Sequence, residues 1–455
     1  MGSSTFSRSV LLPVSAADAF AWHERQGALE RLIPPWEHIE VIERSGGISD
    51  GGRVVLRQHA GPASLLLEAH HFGYIPGKEF SDRMVRGPFS RWEHRHTFES
   101  RPEDGGSMLT DSIEYNLAGG ALTSGYVQTQ LKRMFAYRHA VTKADLDLWR
   151  QWAGLPRLRI LVTGASGLVG RTLCPMLSTM GHQVIRLVRQ APAVEDEVDL
   201  PRLGYAGPID AVVHLAGENV AGGRWTAERR RRIRESREQG TRALVAALGK
   251  LPSTPRIFLG ASAVGFYGSR GDEICGEGDG PGKGFLSEVC QAWERETLLA
   301  RAFGARVVCL RIGIVLSPAG GALGKLLPLF EAGLGGPIAD GRMWMSWISI
   351  DDLAGTIIHS LMDEGLSGSV NAVAPEPVQN AEFARELGRV VQRPAMARVP
   401  AVALRAIYGQ MAEETLLSST RVQPAVLLER GYEFRHPKIA KAFCHVLGRS
   451  SRSSE

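Results

Sequence analysis

The sequence predicts a doubly wound parallel α/β sheet preceded by a smaller α+β unit, and three observations predict it. First, from Arg159 onward the β-branched runs RILVTG, QVIRLVR, AVVHLAG, RIFLGAS, RVVCLRIGIVL and SVNAVAP recur between helix-length segments, without alternation. Strands of that kind are buried on both faces, which a parallel sheet covered by helices requires. Second, the preceding region shows period-two alternation and turn clusters, the marks of an antiparallel sheet. Third, 455 residues exceed what one ordinary core accommodates. The predicted units are 1–152, 158–400 and a small helical extension over 401–449.

In the first unit, SRWEHRHTFES places Trp92, His94, His96 and Phe98 on one face and Arg91, Glu93 and Arg95 on the other. SGGISDGG, YIPGKE and RPEDGGS supply turns between strands. A long helix, roughly Leu122 to Trp152, closes the unit, with Met134, Phe135, Tyr137, Leu146, Leu148 and Trp149 set among charges. His94 and His96 are two ligands on one strand, half a metal site, so they are read as pocket or core polar groups and no metal is expected.

In the second unit, RILVTGASGLVGRTL runs a buried strand into Gly164, Gly167 and Gly170 and then into a helix. Gly164 permits the tight turn, Gly167 lets backbone approach a pyrophosphate, and Gly170 permits close helix packing, the Rossmann arrangement for a dinucleotide. Amides from Ser166 through Leu168 to Val169 then meet phosphates at the positive end of the helix. Pro175 falls beyond the first helical turn and costs a hydrogen bond or a kink. The second strand ends at Arg189, with Arg186 nearby, where an acidic residue would select NAD; a guanidinium favours a 2'-phosphate, so NADP(H) is the expected cofactor.

The net charge of +5 raises a nucleic-acid partner, but its one dense run, Arg229 to Arg232 continuing through Arg234 and Arg237, lies on a helix with an apolar stripe of Ile233, Leu244, Val245 and Leu248. That is a solvated helix face, and nucleic acid is not expected. Five scattered cysteines without CxxC fit a reducing compartment. Lacking an apolar leader or a long uninterrupted apolar stretch, the chain reads as cytoplasmic, with no membrane association. The tail GRSSRSSE alone is compositionally disordered.

The spacing TGxxGxxG resembles the short-chain dehydrogenase/reductase superfamily, and later segments are similar to its extended, epimerase-like branch. Over roughly 159–448 these include GENVAGGRWT, SREQGTRAL, GALGKLLPLFEAGLGGPIADGR and EETLLSSTRVQPAVLLERGYEFRHP, and together they most resemble epimerase-family proteins of the YfcH or SDR39U type. The resemblance implies cofactor contacts at Leu215, Ala216 and Gly217 in VVHLAGE, at Gly260 and Ala261 in GASAVGFYG, at Gly313 to Val315 in LRIGIVLSP, and at Arg237. It also implies a polarising catalytic serine at Ser262. Asp351 or Asp352 in WISIDDLAG reads as a helix cap. The curved sheet with its closing helix, and the opening VSAADAFAWHER, resemble the helix-grip, Bet v 1-like (START-like, polyketide cyclase) superfamily, which implies an apolar ligand in the first unit.

The superfamily's Tyr-x-x-x-Lys pair is missing. KGFLSEVCQAWERE has Phe285 at the Tyr position and Val289 at the Lys position, so the usual acid/base is absent. Tyr267, Glu218, His214 and Glu288 are the candidate replacements, each more readily explained as a structural polar residue, and Arg224 with Trp225 either faces substrate or packs. The expectation is an NADP(H)-dependent oxidoreductase or epimerase acting on a small carbonyl or sugar-like substrate through a modified proton relay. The alternative is a non-catalytic NADPH sensor or ligand-binding protein.

Overall fold

The computed structural model describes residues 4–61, 63–117 and 121–449; most of the GRSSRSSE tail lies outside them. The chain divides into two compact units, Met1–Leu155 with Ser178–Gly181, and Pro156–Leu177 with His182–Glu455.

The first unit runs β1 (Ser4–Leu12), α1 (Ala16–Glu24), α2 (Ala28–Leu32), β2 (Ile39–Ser45), β3 (Arg53–Ala60), β4 (Ala63–Ile75), β5 (Glu79–Arg86), β6 (Phe89–Arg101), β7 (Gly106–Leu117) and α3 (Ala121–Gln151). All neighbours pair antiparallel in the order β1-β7-β6-β5-β4-β3-β2. Ser15 starts α1 by accepting from the Asp18 amide, a side-chain cap at an otherwise unsatisfied donor. One apolar cluster joins Leu12, Phe20, Trp22, Phe80, Phe98 and Leu109 to Leu146 of α3; a second joins Phe6, Ile113 and Tyr115 to Val127, Leu131 and Phe135. The alternation in β6 turns out as expected, with His94, His96 and Phe98 buried and Arg91 and Arg95 exposed. The inner face is less apolar than anticipated, because the register sets His71, Asp82 and His94 in one cross-strand row and Phe80, His96 and Asp111 in the next. Arg31 and Asp145 form a buried bidentate ion pair at 2.8 and 2.9 Å.

The second unit opens with β8 (Arg159–Thr163), α4 (Leu168–Thr179), β9 (Gln183–Val188), β10 (Glu197–Asp199), β11 (Ala211–His214), α5 (Ala227–Leu248) and β12 (Ile257–Ala263). It continues with β13 (Ile274–Cys275), α6 (Phe285–Leu298), β14 (Arg306–Ile312), β15 (Ile314–Leu316), α7 (Gly321–Glu331) and α8 (Ile350–Met362). The main sheet is parallel throughout, in the order β10-β9-β8-β11-β12-β14 and then Gly368–Ala372. Leu161, Val162, Val212, Val213, Phe258 and Leu259 are fully buried, each side chain contributing roughly 1.5–3 kcal/mol of apolar burial. Strand order reverses between β8 and β11, and the crevice outside the carboxyl ends at such a switch point is where ligands bind in open α/β sheets.

Two details differ from expectation. RVVCLRIGIVL is not one strand: a Cβ at Gly313 would sit 2.6 Å from the Ser346 carbonyl oxygen and 2.8 Å from Val373, so the chain breaks there, and β15 leaves the main sheet to pair with Trp347–Ser349. The edge strand β10 is too short for any periodicity to announce. Pro175 stays inside α4, whose helix continues across it. Beyond residue 400, helices Ala401–Tyr408, Ala425–Glu429 and Ile439–Leu447 pack on the second unit, and Arg421–Val422 pairs with β13. Among the described residues no helix is long and apolar enough to cross a membrane.

Candidate active site

Between β8 and α4 the chain turns at Gly164, whose φ of 71° favours glycine, and the Gly167 amide closes the turn on the Gly164 carbonyl at 2.9 Å. Gly170 is the packing glycine: a Cβ there would lie 2.4 Å from the Gly164 oxygen and 2.5 Å from the Ala165 Cα. Gly167 is exposed, and its added Cβ would meet only the Gly164 oxygen, at 3.1 Å. The amides of Ser166, Leu168 and Val169 precede the first intrahelical bond, which runs from Arg171 to Gly167, and have no backbone partner among the described residues. This cradle has the donors and the open space that an anionic pyrophosphate needs.

Thr163 ties the cradle to β11. Its Oγ1 accepts from the Leu215 and Ala216 amides, both at 3.1 Å, so its proton goes to His214 Nδ1 at 2.7 Å. His214 therefore keeps its own proton on Nε2, donated to Thr241 at 2.9 Å. Burial, reinforced by the Arg237 cation, holds its pKa down at about 4, which fixes the ring as neutral. A Cβ on Gly164 would touch Ala216 at 3.0 Å, and one on Gly217 would touch the Arg237 guanidinium at 3.0 Å. Arg237 lies over the Trp293 ring at 4.8 Å and donates to the Glu218 and Ile233 carbonyls. Its guanidinium is thus turned in against α6 and the loop after β11 rather than out to solvent. Leu168, Val169 and Val315 meet in one apolar cluster against α7.

At the end of β9, Arg186 is held by Asp196 through two bonds, at 3.0 and 2.7 Å. Arg189 is exposed and, among the described residues, makes no hydrogen bond or ion pair. Gly260 and Ala261 are buried in β12; a Cβ on Gly260 would strike Thr297 at 2.6 Å, so that glycine lets α6 lie close on the sheet.

Ser262 is 3% exposed, and its hydroxyl donates to Glu294 Oε1 at 2.7 Å within a buried network. Arg311 clamps the same carboxylate at 2.9 and 3.0 Å, donates to the Tyr267 oxygen at 2.9 Å and lies 3.5 Å from the Phe266 ring centre. Tyr267 passes its proton to Asn371 at 2.7 Å, and burial pushes its pKa up to about 12. Arg311 and Glu294, which carry this network, had no motif to announce them.

The two replaced positions are packed, not merely changed. Phe285 stacks edge-on against Trp225 at 5.1 Å, and with Val289, Ile233 and Met411 they form an apolar cluster. Trp225 therefore packs. The start of α6 is closed by Glu414, which accepts from the Phe285 and Leu286 amides at 3.1 and 2.8 Å. Of the four candidate replacements, His214 and Tyr267 are buried and satisfied, and Glu288 is bonded to Arg234 at 2.8 Å. Glu218 is half-buried, its backbone pinned by Ser236 and Arg237 and its carboxylate 3.8 Å from Arg229. Beside Phe285 a hollow of about 450 Å³ is lined by Arg230, Arg231, Arg234, Glu288 and Gln410. The arginine run is accordingly only partly solvated, since Arg230 bonds to Gln410 at 2.8 Å.

The profile of the NAD dependent epimerase/dehydratase family matches residues 160–372, and that of a domain of unknown function, DUF1731, matches residues 399–446. The chain is 40% identical over 296 residues to epimerase family protein Mb2239 of Mycobacterium bovis, covering 64% of this chain and 98% of that protein. It is 33% identical over 295 residues to human epimerase family protein SDR39U1, covering 64% and 100%. Among solved structures, a nucleoside-diphosphate sugar epimerase from Corynebacterium glutamicum superposes with a TM-score of 0.80 at 34% identity, over 97% of this chain and 90% of that one. Human SDR39U1, solved with NADPH, superposes with a TM-score of 0.60 at 32% identity, over 64% of this chain and 99% of that one.

Proposed function

The chain belongs to the NAD dependent epimerase/dehydratase family, and from that membership we propose that it binds NADP(H) across the carboxyl ends of β8, β9, β11, β12 and β14 and acts on a small, anionic, sugar-like carbonyl or alcohol. The observation that carries the reading is the cradle of unpaired amides at the switch point with the unpartnered Arg189 at the end of the next strand. The Ser166, Leu168 and Val169 amides hold the pyrophosphate. Arg189 pairs with a 2'-phosphate, as a free guanidinium does well and one already committed to a carboxylate, such as Arg186, does not. Gly164, Gly167, Leu215 to Gly217, Gly260, Ala261, Gly313, Val315 and Arg237 shape the remaining walls. The bound dinucleotide supplies a hydride donor or acceptor.

Proton exchange cannot use Phe285 or Val289, and the half-buried Glu218, whose carboxylate lies 3.8 Å from Arg229 and makes no hydrogen bond among the described residues, is the candidate that takes it over. Ser262 is a positioning residue, bracing Glu294 and through it Arg311. The arginines beside Phe285 favour an anionic substrate. The first unit is read as a helix-grip, Bet v 1-like fold, supported by its strand order and its single long closing helix.

A thermal-shift titration with NADP+, NADPH, NAD+ and NADH tests this. Ligand at a hundred times its Kd stabilises by about 2.7 kcal/mol, so the phosphorylated pair should raise Tm most, and Arg189→Glu should abolish that preference while leaving the response to NADH. No shift with any dinucleotide sinks the proposal. Sustained NADPH oxidation over a panel of nucleotide sugars, lowered at least tenfold in kcat by Glu218→Gln, is the expected catalytic result; binding without turnover across the panel would point to the sensor instead.

A further inference from the structure

The inner face of the first unit gathers ionisable groups that nothing in the dinucleotide site uses. Asp82 of β5 and His94 and His96 of β6 bring one ligand atom each within 4.8 Å of one another. Asp82 Oδ2 is 3.3 Å from His94 Nδ1 and 3.8 Å from His96 Nε2. The other nitrogen of each ring turns the opposite way, to one carboxylate: Asp111 Oδ1 lies 2.9 Å from His94 Nε2 and 2.7 Å from His96 Nδ1, the latter off the axis of a hydrogen bond. Asp111 is itself held by His139 of α3 at 2.5 Å. Phe80 stacks on the His96 ring at 4.1 Å, which fixes its plane.

This arrangement sorts the four imidazole nitrogens. Facing Asp111, the outer pair can each carry a proton, and a neutral ring then has a lone pair on its inner nitrogen. Two lone pairs and a carboxylate oxygen pointing at one another repel unless a cation lies between them. From that geometry we infer that Asp82, His94 and His96 form a binding site for a divalent transition-metal ion, with Asp111 and His139 as the outer carboxylate and histidine that orient the ligands.

Two imidazoles and one carboxylate are the ligand set of open zinc and non-haem iron sites. Around an ion bonded at about 2.0–2.2 Å, ligand atoms stand roughly 2.9–3.5 Å apart, so the observed 3.3 and 3.8 Å close onto an ion with small side-chain movements. Asp111, hydrogen-bonded to His94 Nε2 and 2.7 Å from His96 Nδ1, stands where an outer-shell carboxylate sets tautomer and raises ligand basicity. Across the strand from Asp82, the half-buried His71 lies on the same cross-strand row. The sequence showed half of this site; register supplied Asp82 from a neighbouring strand.

The experiment takes the full chain, strips it with chelator, dialyses it separately against Zn2+, Fe2+, Mn2+ and Co2+, and measures bound metal by mass spectrometry alongside the Co2+ d–d spectrum. The expected result is one ion per chain for at least one of the four, lost in Asp82→Ala and in His96→Ala with the far-UV circular dichroism unchanged. His139→Gln should keep the stoichiometry and weaken affinity about 10–100-fold. If those alanine variants do not fold, the wild-type Co2+ spectrum decides, since nitrogen ligation shifts it from that of the aquo ion. No ion bound by the wild type would overturn the proposal, leaving a proton as the cation between these groups. So would an ion retained by folded Asp82→Ala.

Discussion

Gly167 and Gly170 look alike in the sequence and differ in what surrounds them, which makes them a paired test of the dinucleotide cradle. Alanine at 170 puts a methyl 2.4 Å from the Gly164 oxygen and 2.6 Å from the Ala165 oxygen, well inside the 3.0 Å that Cβ atoms respect, and every clashing atom is backbone. The start of α4 must move away, at the roughly 1–3 kcal/mol typical of overpacking, which in a unit of this size lowers Tm by about 2–4 °C per kcal/mol. Alanine at 167 meets one oxygen at 3.1 Å from an exposed position without a positive φ. It should leave stability within about 1 kcal/mol of wild type or raise it slightly, because Gly→Ala narrows the unfolded ensemble. Its methyl should instead stand where a pyrophosphate has to approach the amides. The assays are differential scanning calorimetry without ligand and NADPH titration by fluorescence. Gly170→Ala should lose melting temperature; Gly167→Ala should keep it and lose at least tenfold in affinity. A Gly167→Ala protein that binds NADPH like wild type would refute the assignment of this turn.

Arg311→Met leaves Glu294 buried without its partner, and removal of one member of such a pair costs about 3–5 kcal/mol; urea unfolding should show it, with the loss largely recovered in the Arg311→Met, Glu294→Met double variant. His214, whose pKa is about 4 in the fold against 6.5 in the open chain, makes stability full above pH 6.5 and progressively lost as pH falls through 4, because the unfolded chain takes up the proton first. The loss amounts to about 3 kcal/mol, and a His214→Asn protein should show a flatter acid limb in urea titrations. Glu414→Ala should uncap α6 and cost about 0.5–2 kcal/mol, read as a lower Tm.

What the sequence disclosed and withheld follows from the range of the forces involved. β8, the glycine turn and α4 were legible because strand, turn and helix are local and the glycine spacing is dictated by one ligand. The face shared by Trp92, His94, His96 and Phe98 was legible because a pleat alternates. Asp82 and Asp111 stayed hidden because only strand register brings them to those histidines. Ser262 was placed on its strand, but the partner of its hydroxyl, Glu294, comes from a helix 32 residues on, and no motif records that. The break at Gly313 depends on a carbonyl at Ser346, contributed by a later segment.

Glu414 caps α6 from 129 residues downstream, and Arg421–Val422 completes the small ladder with β13. During synthesis, then, α6 leaves the ribosome with the amides of its first turn unsatisfied, and they gain their acceptor only once Glu414 has followed. The first unit, whose strands and closing helix are contiguous, faces no such wait.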